Sequence, residues 1–293
     1  MLNILTVDVE EWFHGNDFDL PRERWAGLES RVELQTDFLL DLLDETGARA
    51  TFFILGCVAE AHPDLVKRIH QKGHEVGSHG FYHDLIYRLT PGEFETQLRD
   101  SARVISGITG EPVVSFRAPS WSITEKNPWA LDVIRSCGLE IDSSIFPLRT
   151  WMYGIRNARL DIHKLGERDG HGGGGADGAA GRGLTEYPPS ALRLGGLTVP
   201  VAGGIFFRLL PYLATRSALR GMNRSKRPAV VYLHPWELDP AQPRLPELPA
   251  RQTWYHYWGL AAAPRKYARL LRDFEFGSIR QHRQAGTTPG LQG

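Results

Sequence analysis

Two acidic side chains close the first apolar segment of the sequence. Asp8 and Glu10 lie two residues apart at the end of residues 2–9, which we predict to form a β-strand. Because side chains alternate along a strand, both carboxylates point to the same side and could act together. Ligands of α/β proteins bind at the carboxyl ends of strands. An acidic pair is also common at a solvated strand end or a helix cap, so this pair alone does not identify an enzyme.

Two histidines four residues apart follow a later apolar run. His79 and His83 lie in the segment HGFYH, directly after HEVGS. A spacing of four puts both imidazoles on one face if the segment turns helically, and this arrangement suits one metal ion. Gly80 occupies the position where zinc peptidases have their glutamate, so a general base must come from elsewhere. Such a pair can also arise by chance among the 11 histidines of the chain.

The two pairs complement each other. Two histidines and one carboxylate form a three-ligand site that leaves positions open for water and substrate. If Glu10 is the third ligand, Asp8 remains available to accept a proton from the attacking water.

Three further polar residues lie at predicted strand ends. They are Arg117 in SFRAPSWS, Asp142 in EIDSS and His234 in VVYLHPWE. Each alone could be a structural ion pair or a turn residue. In α/β barrels, however, functional residues collect at the carboxyl ends of several strands, so the recurrence favours one shared site.

The elements that must position these residues alternate between strand and helix. Short β-branched or aromatic runs are separated by segments of helical period, a pattern typical of βα units around a parallel sheet. We predict strands at 2–9, 50–55, 74–78, 113–116, 139–146, 184–188, 197–201, 229–234 and 276–281, and helices at 31–45, 62–72, after Thr90, up to Cys137, at 207–221 and at 264–273.

One barrel-like domain over residues 1–282 is the simplest organisation. The glycine-rich stretch at about 169–183 has few side chains that can pack and is expected to be a flexible insertion without chemistry. Residues 240–282 form a C-terminal part of the domain, and residues 283–293 are predicted to be a disordered tail.

Composition narrows the class of protein. Lysine plus arginine equals aspartate plus glutamate at 34 each, which gives no electrostatic reason to expect nucleic acid as a partner. Cys57 and Cys137 are too few for a disulfide framework or a cysteine-rich zinc site. The acidic opening lacks the basic start and apolar core of a signal peptide, and no stretch is long enough to cross a bilayer. These features favour a cytoplasmic protein.

Five motifs, in order, resemble those of the NodB-type polysaccharide deacetylases, the carbohydrate esterase 4-like family. They are TVDVEE, HGFYH, RAPSWS, IDSSIF and YLH, and they span residues 6–234. The segments GGIFFRLLPY, YHYWGL and KYARLLRDFEFGSI further resemble the exosortase-associated (PEP-CTERM locus) deacetylases of bacterial exopolysaccharide clusters. The resemblance implies an α/β fold with a distorted (β/α)7-type barrel.

The resemblance also implies a role for each motif residue. Asp8 would be the base, and Glu10, His79 and His83 would bind a divalent metal, most simply Zn²⁺. His234 would protonate the departing amine, Arg117 would orient Asp8, and Asp142 would hold and tune His234. The family commonly has adjacent aspartates in its first motif, whereas Val9 intervenes here. Glu11 therefore remains an alternative ligand, although strand alternation argues against it.

Several aromatic and basic residues lie near these motifs. Trp12, Trp121 and Trp236 are candidates for substrate binding because aromatic faces suit sugar rings, although packing at the barrel mouth would explain them equally well. His14 is a weaker candidate for a substrate contact. Residues 205–227 begin apolar and end basic, which fits either an anionic membrane face or a barrel helix with a basic end.

The expected function is therefore metal-dependent removal of N-acetyl groups from amino sugars of a bacterial exopolysaccharide or its precursor. One alternative is a related C–N hydrolase that acts on a small amide or ureide. Another is a catalytically silent carbohydrate-binding protein. The expected partners are an N-acetylated glycan and, peripherally, the membrane or the exopolysaccharide assembly machinery.

Overall fold

The chain alternates strands with helices, as its sequence predicts. The computed structural model describes residues 1–18, 20–166 and 183–286. The strands are β1 Asn3–Val9, β2 Thr51–Ile54, β3 Glu75–Ser78, β4 Ser115–Phe116, β5 Ile141–Asp142, β6 His163–Leu165, β7 Leu184–Glu186, β8 Ala191–Leu194, β9 Leu197–Pro200, β10 Val230–Leu233 and β11 Phe276–Gly277. The helices are α1 Val32–Thr46, α2 Gly56–Ala61, α3 Pro63–Gln71, α4 Pro91–Thr109, α5 Trp129–Ser136, α6 Gly204–Leu209, α7 Tyr212–Arg224, α8 Ala250–Tyr257, α9 Ala263–Asp273 and α10 Ile279–Gly286.

Seven parallel strands form the central sheet, in the order β10-β1-β2-β3-β4-β5-β7. The strand β6 adds to β7 in antiparallel orientation, and β11 pairs with the start of β1. The sheet curls until the segment after β7 reaches β10, where the Ser190 amide donates to the Val230 carbonyl at 3.0 Å. The expected distorted seven-stranded barrel is therefore confirmed.

The main core lies between the sheet and its outer helices. All four residues of β2 are buried, as is the whole of β1, because strands covered on both faces cannot expose a side chain. Leu39 and Leu43 of α1 and Tyr267 and Leu270 of α9 pack in the same cluster. Within the described residues no helix is both long and apolar enough to cross a bilayer.

Several predicted elements differ from those observed. The predicted helix at 207–221 divides into α6 and α7, because Pro211 cannot donate an amide hydrogen bond and Leu210 before it is extended. The predicted strand at 276–281 ends at Gly277 and is followed by α10, which also includes 283–286 of the expected tail. Residues 167–182, with most of the glycine-rich insertion, and residues 287–293 lie outside the described part of the chain.

The strand ends that carry the predicted functional residues open on the same side of the sheet. The ends of β1, β3, β4, β5 and β10 are followed by Glu10, His79, Arg117, Ser143 and His234 respectively. Parallel pairing from β10 through β5 puts all of these ends at one edge, which positions the site described next.

Candidate active site

Three buried side chains form the centre of the site. Glu10, His79 and His83 each offer one ligand atom, and these atoms lie within 4.8 Å of one another. The spacing of the two histidines suggested a helical turn, but the structure has no helix there. They belong to a loop in which Gly80 and His83 both have positive φ, at 80° and 62°, and this loop turns the two rings to 5.2 Å between centroids.

Each ligand side chain is held by a neighbour. His79 Nδ1 donates to the Arg117 carbonyl at 2.8 Å, which leaves Nε2 directed to the centre. The Asn16 side-chain amide contacts His83 Nδ1 at 3.1 Å, and the Trp236 indole donates to Glu10 Oε1 at 3.0 Å. Such outer contacts fix the orientation of metal ligands and support metal affinity.

These residues fit a divalent cation. Glu10 Oε2 is buried and lies 2.7 Å from His83 Nε2, yet it has no hydrogen-bond partner with acceptable geometry. Burial alone would raise the pKa of Glu10, but the nearby histidines hold it well below its usual range. Burial lowers the pKa of His79 to about 4, so its ring is neutral at pH 7. An ionised carboxylate and a neutral imidazole are the forms that bind metal.

Asp8 lies beside this centre and is paired with Arg117. Arg117 Nη1 donates to Asp8 Oδ1 at 2.8 Å, and both side chains are almost completely buried. Arg117 also donates through Nε to the Ser143 carbonyl and through Nη2 to Ser143 Oγ. The guanidinium is thus fixed at three points and holds Asp8 in one orientation. Arg117 binds Oδ1 of Asp8, so Oδ2 takes no part in this ion pair.

His234 faces both carboxylates from the neighbouring strand. Its Nε2 lies 3.8 Å from Asp8 Oδ2 and 3.8 Å from Glu10 Oε1. Its Nδ1 lies 3.4 Å from Glu237 Oε2, and Glu237 Oε1 lies 2.8 Å from Nε of the buried Arg208. Burial alone would lower the pKa of His234, but Glu237, Glu10 and Asp8 raise it to about 9.

The residue at His234 Nδ1 is therefore Glu237, and the predicted pairing of Asp142 with His234 was wrong. Asp142 instead accepts from Ser144 Oγ, which in turn accepts from the Ala118 amide at 2.8 Å. Asp142 also lies against Glu186, and burial together with the Asp142 charge raises the pKa of Glu186 well above its usual value. This buried acid pair supports the loops after β4 and β5 and does not line the cavity at the metal centre.

The three predicted tryptophans have different positions. Trp121 and Trp236 line the cavity, but Trp236 commits its indole N–H to Glu10 and stacks on His234. Trp12 was predicted wrongly: it is 1% exposed, donates to the Glu29 carbonyl and packs in an apolar cluster behind Trp236 without lining the cavity. At this burial its indole is not accessible to a sugar.

Glu11 and His14 do not line the cavity. Glu11 accepts from Ser30 Oγ and from the Arg31 amide, so it satisfies the chain that leads into α1. His14 accepts from the Glu11 amide and stacks on Trp25 with 4.3 Å between ring centroids. The structure thus separates Glu10 from its alternative Glu11, as strand alternation predicts.

The cavity around these groups encloses about 730 Å³, including its open mouth. Residues that the sequence did not indicate complete its wall: Asn16, Asp17, Tyr153, Arg208 and Tyr255. They lie in loops and on α6 and α8, away from strand ends, so the strand-end pattern could not find them. A clue is the pair Gly203 and Gly204, because a Cβ at either would collide with Tyr232 in the wall.

Strained backbone is concentrated at this cavity. Among the described residues, five non-glycine residues have positive φ, and three of them, His83, Ser120 and Trp121, lie in its wall. Asn16 donates to the His83 carbonyl and to Ser120 Oγ, which holds the two strained loops together. Such conformations persist where the surroundings impose them, and they cluster at functional sites.

Two family models match consecutive parts of the chain. Residues 31–141 match the polysaccharide deacetylase family, and residues 143–284 match a domain of unknown function, DUF3473. The chain therefore carries a polysaccharide deacetylase domain of the NodB/CE4 type with a C-terminal DUF3473 domain. The sheet continues across the boundary, since β5 pairs with β7 and β1 pairs with β10.

Similar proteins are deacetylases by name. A peptidoglycan-N-acetylglucosamine deacetylase of Bacillus cereus is 29% identical over 120 residues, which cover 37% of this chain and 44% of that protein. The deacetylase PgdA of Listeria monocytogenes is 30% identical over 137 residues, or 46% of this chain and 28% of PgdA. The chain thus matches less than half the length of these relatives.

A solved structure shares the fold. The crystal structure of a Mycobacterium smegmatis protein assigned to the polysaccharide deacetylases superposes with a TM-score of 0.58 at 18% identity. The superposition covers 98% of this chain and 91% of the other. The likeness supports the α/β half-barrel architecture described above.

Proposed function

We propose that this chain, which carries a polysaccharide deacetylase family domain, is a metal-dependent hydrolase that removes N-acetyl groups from amino sugars of a glycan. The observation that carries the proposal is the contact of two sets of side chains. The group Glu10, His79 and His83 suits a divalent cation, and Asp8 and His234 approach it from adjacent strands, with Asp8 Oδ2 3.8 Å from His234 Nε2.

The proposed reaction divides proton transfer between Asp8 and His234. The carboxylate of Asp8 accepts a proton from the attacking water while the water oxygen bonds to the acetamide carbon. His234, protonated at Nε2, gives its proton to the amide nitrogen as the carbon–nitrogen bond breaks. The products are a free sugar amine and acetic acid, which ionises to acetate. Asp8 has then gained one proton from water and His234 has lost one to the amine, so transfer of a proton from Asp8 to His234 through solvent restores both groups.

The remaining residues position these two groups. Arg117 holds Asp8 by an ion pair, and Glu237 accepts at His234 Nδ1 so that Nε2 faces the cavity. Glu10, His79 and His83 would hold Zn²⁺, which supplies Lewis-acid polarisation of the amide carbonyl and of the attacking water. The Trp121 face offers an apolar surface for a sugar ring.

The substrate that we propose is an N-acetylated exopolysaccharide or its precursor. The C-terminal motifs that resemble exosortase-associated deacetylases favour it. The relatives named for peptidoglycan match 37% and 46% of this chain, so peptidoglycan is a comparison substrate in the test.

The test is acetate release from a panel of N-acetylated oligosaccharides and peptidoglycan fragments, paired with metal analysis. We expect activity that a chelator abolishes and Zn²⁺ restores. Asp8→Asn should reduce the rate at least about a hundredfold, as expected for loss of a general base, while bound metal stays at the wild-type level. Full turnover by Asp8→Asn or by the chelated protein would refute the mechanism.

Two other outcomes separate the alternatives. Release of ammonia or amine from small amides or ureides, without acetate release from any glycan, would indicate a related C–N hydrolase. Glycan binding by the metal-loaded protein without any hydrolysis would indicate a silent binding protein.

A further inference from the structure

The C-terminal half contains two segments with only positive charge. Residues 204–236 and 248–272 together hold eleven lysine and arginine residues and no aspartate or glutamate. The whole chain is formally neutral, so its remaining residues are strongly acidic. The neutral net charge of the chain therefore hides an uneven distribution of charge. The two basic segments contain the helices α6 to α9, which lie next to each other.

The basic residues form rows on the exposed faces of two helices. On α7, Leu213, Ser217, Arg220 and Arg224 are all exposed, and their spacings of four, seven and eleven residues put them on one face. On α9, Arg265, Arg269 and Arg272 repeat this pattern. We refer to Arg220, Arg224, Arg265 and Arg269 as the basic rows.

The two helices lie side by side in the outer layer. The Tyr212 hydroxyl donates to the Arg269 carbonyl at 3.3 Å, and the Arg269 guanidinium stacks 4.4 Å from the Tyr212 ring. Arg216 pairs with Asp273 at 2.8 Å, so that acid is engaged between the helices. Arg272 approaches Glu45 at 3.8 Å at the margin, and neither residue belongs to the basic rows.

An exposed apolar patch adjoins the basic rows. It consists of Leu209, Leu213, Trp254 and Trp258, each 43–60% exposed, and the two tryptophan rings lie 5.5 Å apart. Buried Arg208 joins its two halves, because it precedes Leu209 in the chain and donates to the Trp258 carbonyl at 2.8 Å. Lys266 of α9 donates to the carbonyls of Arg208 and Leu210, which fixes the patch against the basic helix.

This combined surface borders the mouth of the active-site cavity. Arg208, Tyr255 and His256 line the cavity, while Leu209, Trp254 and Trp258 next to them in sequence face solvent. Two elements, α6 and α8, thus contribute residues both to a wall of the cavity and to the exposed patch.

We propose that the apolar patch and the basic rows dock this protein on the surface of an anionic lipid bilayer. Leucine and tryptophan side chains insert at the headgroup boundary, and arginines above them attract anionic headgroups. A soluble acidic glycan would use the arginines but offers no apolar interior for Leu209 and Leu213. Docking would hold the cavity mouth near the membrane, where a lipid-linked glycan precursor is presented; this last step rests on the proposed function.

The test is co-sedimentation of the full chain with vesicles of phosphatidylcholine alone or mixed with one quarter phosphatidylglycerol. We expect binding to the anionic vesicles, weakened by salt, and little binding to the neutral ones. Reversal of two charges in Arg220→Glu with Arg224→Glu should lower the partition coefficient roughly tenfold or more, since each basic residue near such a surface contributes severalfold. The matched control is Arg99→Glu with Arg103→Glu on α4, both exposed, which should bind like the wild type.

A second pair of variants tests the apolar contribution. Leu213→Gln should weaken binding severalfold, and Leu34→Gln should not, although the two leucines are equally exposed at 60% and 59%. Equal binding by wild type and the Arg220/Arg224 variant would overturn the proposal. So would binding to a soluble sulfated polysaccharide without vesicle binding, which would assign the face to an acidic glycan. Acetate release from a soluble oligosaccharide is measured in parallel, so failure of docking and failure of the proposed function are distinguishable.

Discussion

Neighbouring side chains fix the orientation of the His234 ring and influence its charge. Trp236 stacks on its ring at 5.1 Å, and Glu237 lies at Nδ1, so two residues of the same HPWE segment fix the imidazole. Arg208 and the Tyr267 hydroxyl in turn contact Glu237. A buried glutamate with these partners remains ionised, since the His234 contact and the Arg208 charge outweigh burial and lower its pKa.

Removal of the Glu237 charge should shift the pH dependence of activity. His234 acts as an acid, so activity is lost as pH rises through the pKa of His234. Glu237→Gln keeps the shape of the side chain but removes a negative charge that raises this pKa. We expect the alkaline limb of kcat/KM to move to lower pH by about one unit, together with a loss of rate.

The pH–rate profile of acetate release measures this shift. Glu247→Gln, which changes an exposed glutamate paired with Arg24, serves as the control and should leave the profile unchanged. An alkaline limb that does not move in Glu237→Gln would show that Glu237 does not tune the acid.

The sequence predicts which residues reach the site better than it predicts their partners. Six predicted residues meet because each lies near or just beyond the carboxyl end of a parallel strand. They are Asp8, Glu10, His79, His83, Arg117 and His234. Asp142 meets the same condition, but its carboxylate accepts from Ser144 Oγ, and its neighbour across the ladder is Glu186 on β7. Strand-end position specifies an edge of the sheet, whereas a contact depends on strand order and loop conformation.

At the scale of elements, the loops determine the site more than the helices do. The strands and long helices follow from periodicity and caps, such as the box of Thr90 and Glu93 that begins α4. The HGFYH and APSW loops have positive φ at His83, Ser120 and Trp121, which no propensity rule would predict for these residue types. Long-range contacts impose these conformations, and they are invisible in a local pattern.

The strand ends of β5 and β7 should make stability depend on pH through Glu186. Its pKa is raised in the folded state by burial and by Asp142. A raised carboxyl pKa favours folding below the unfolded value of about 4.5, and this contribution is lost as pH rises towards the folded value. Between the unfolded and folded pKa values of Glu186, each unit of rising pH should lower the free energy of unfolding of the wild type by up to about 1.4 kcal/mol relative to that of Glu186→Gln.

Thermal unfolding from pH 4 to pH 8 measures this effect. The difference in Tm between Glu186→Gln and the wild type should become more favourable to the variant as pH rises. Glu140→Gln, which changes a partly exposed glutamate that precedes β5 and pairs with Arg283, is the comparison and should not reproduce the trend. A constant difference across the range would contradict a proton held at Glu186.

At the scale of the whole molecule, metal binding should stabilise the entire fold. The ligands come from β1 and from the loop after β3, and Trp236 ties Glu10 to the loop after β10. A ligand that binds only the folded state at a hundred times its Kd adds about 2.7 kcal/mol, which corresponds to about 4 °C in a chain of 293 residues. We therefore expect Zn²⁺ to raise Tm by this amount after chelation.

Two neighbouring glutamates provide the matched test. Glu10→Gln should abolish the response of Tm to Zn²⁺. Glu11→Gln should lower the starting Tm, because Glu11 binds the Arg31 amide before α1, but it should keep the response. The reverse result would make Glu11 the metal ligand.

The position of β1 between β10 and β2 has a consequence for biosynthesis. Ile4 pairs with Val230, so β1 completes its ladder with β10 only after some 225 further residues have been made. Asp8 and His234 therefore cannot meet in a partly synthesised chain, although β2 and β3 can already assemble beside β1. The proposed proton-transfer pair therefore forms only after His234 has been made, so under the proposed mechanism a shorter nascent chain has no hydrolytic activity.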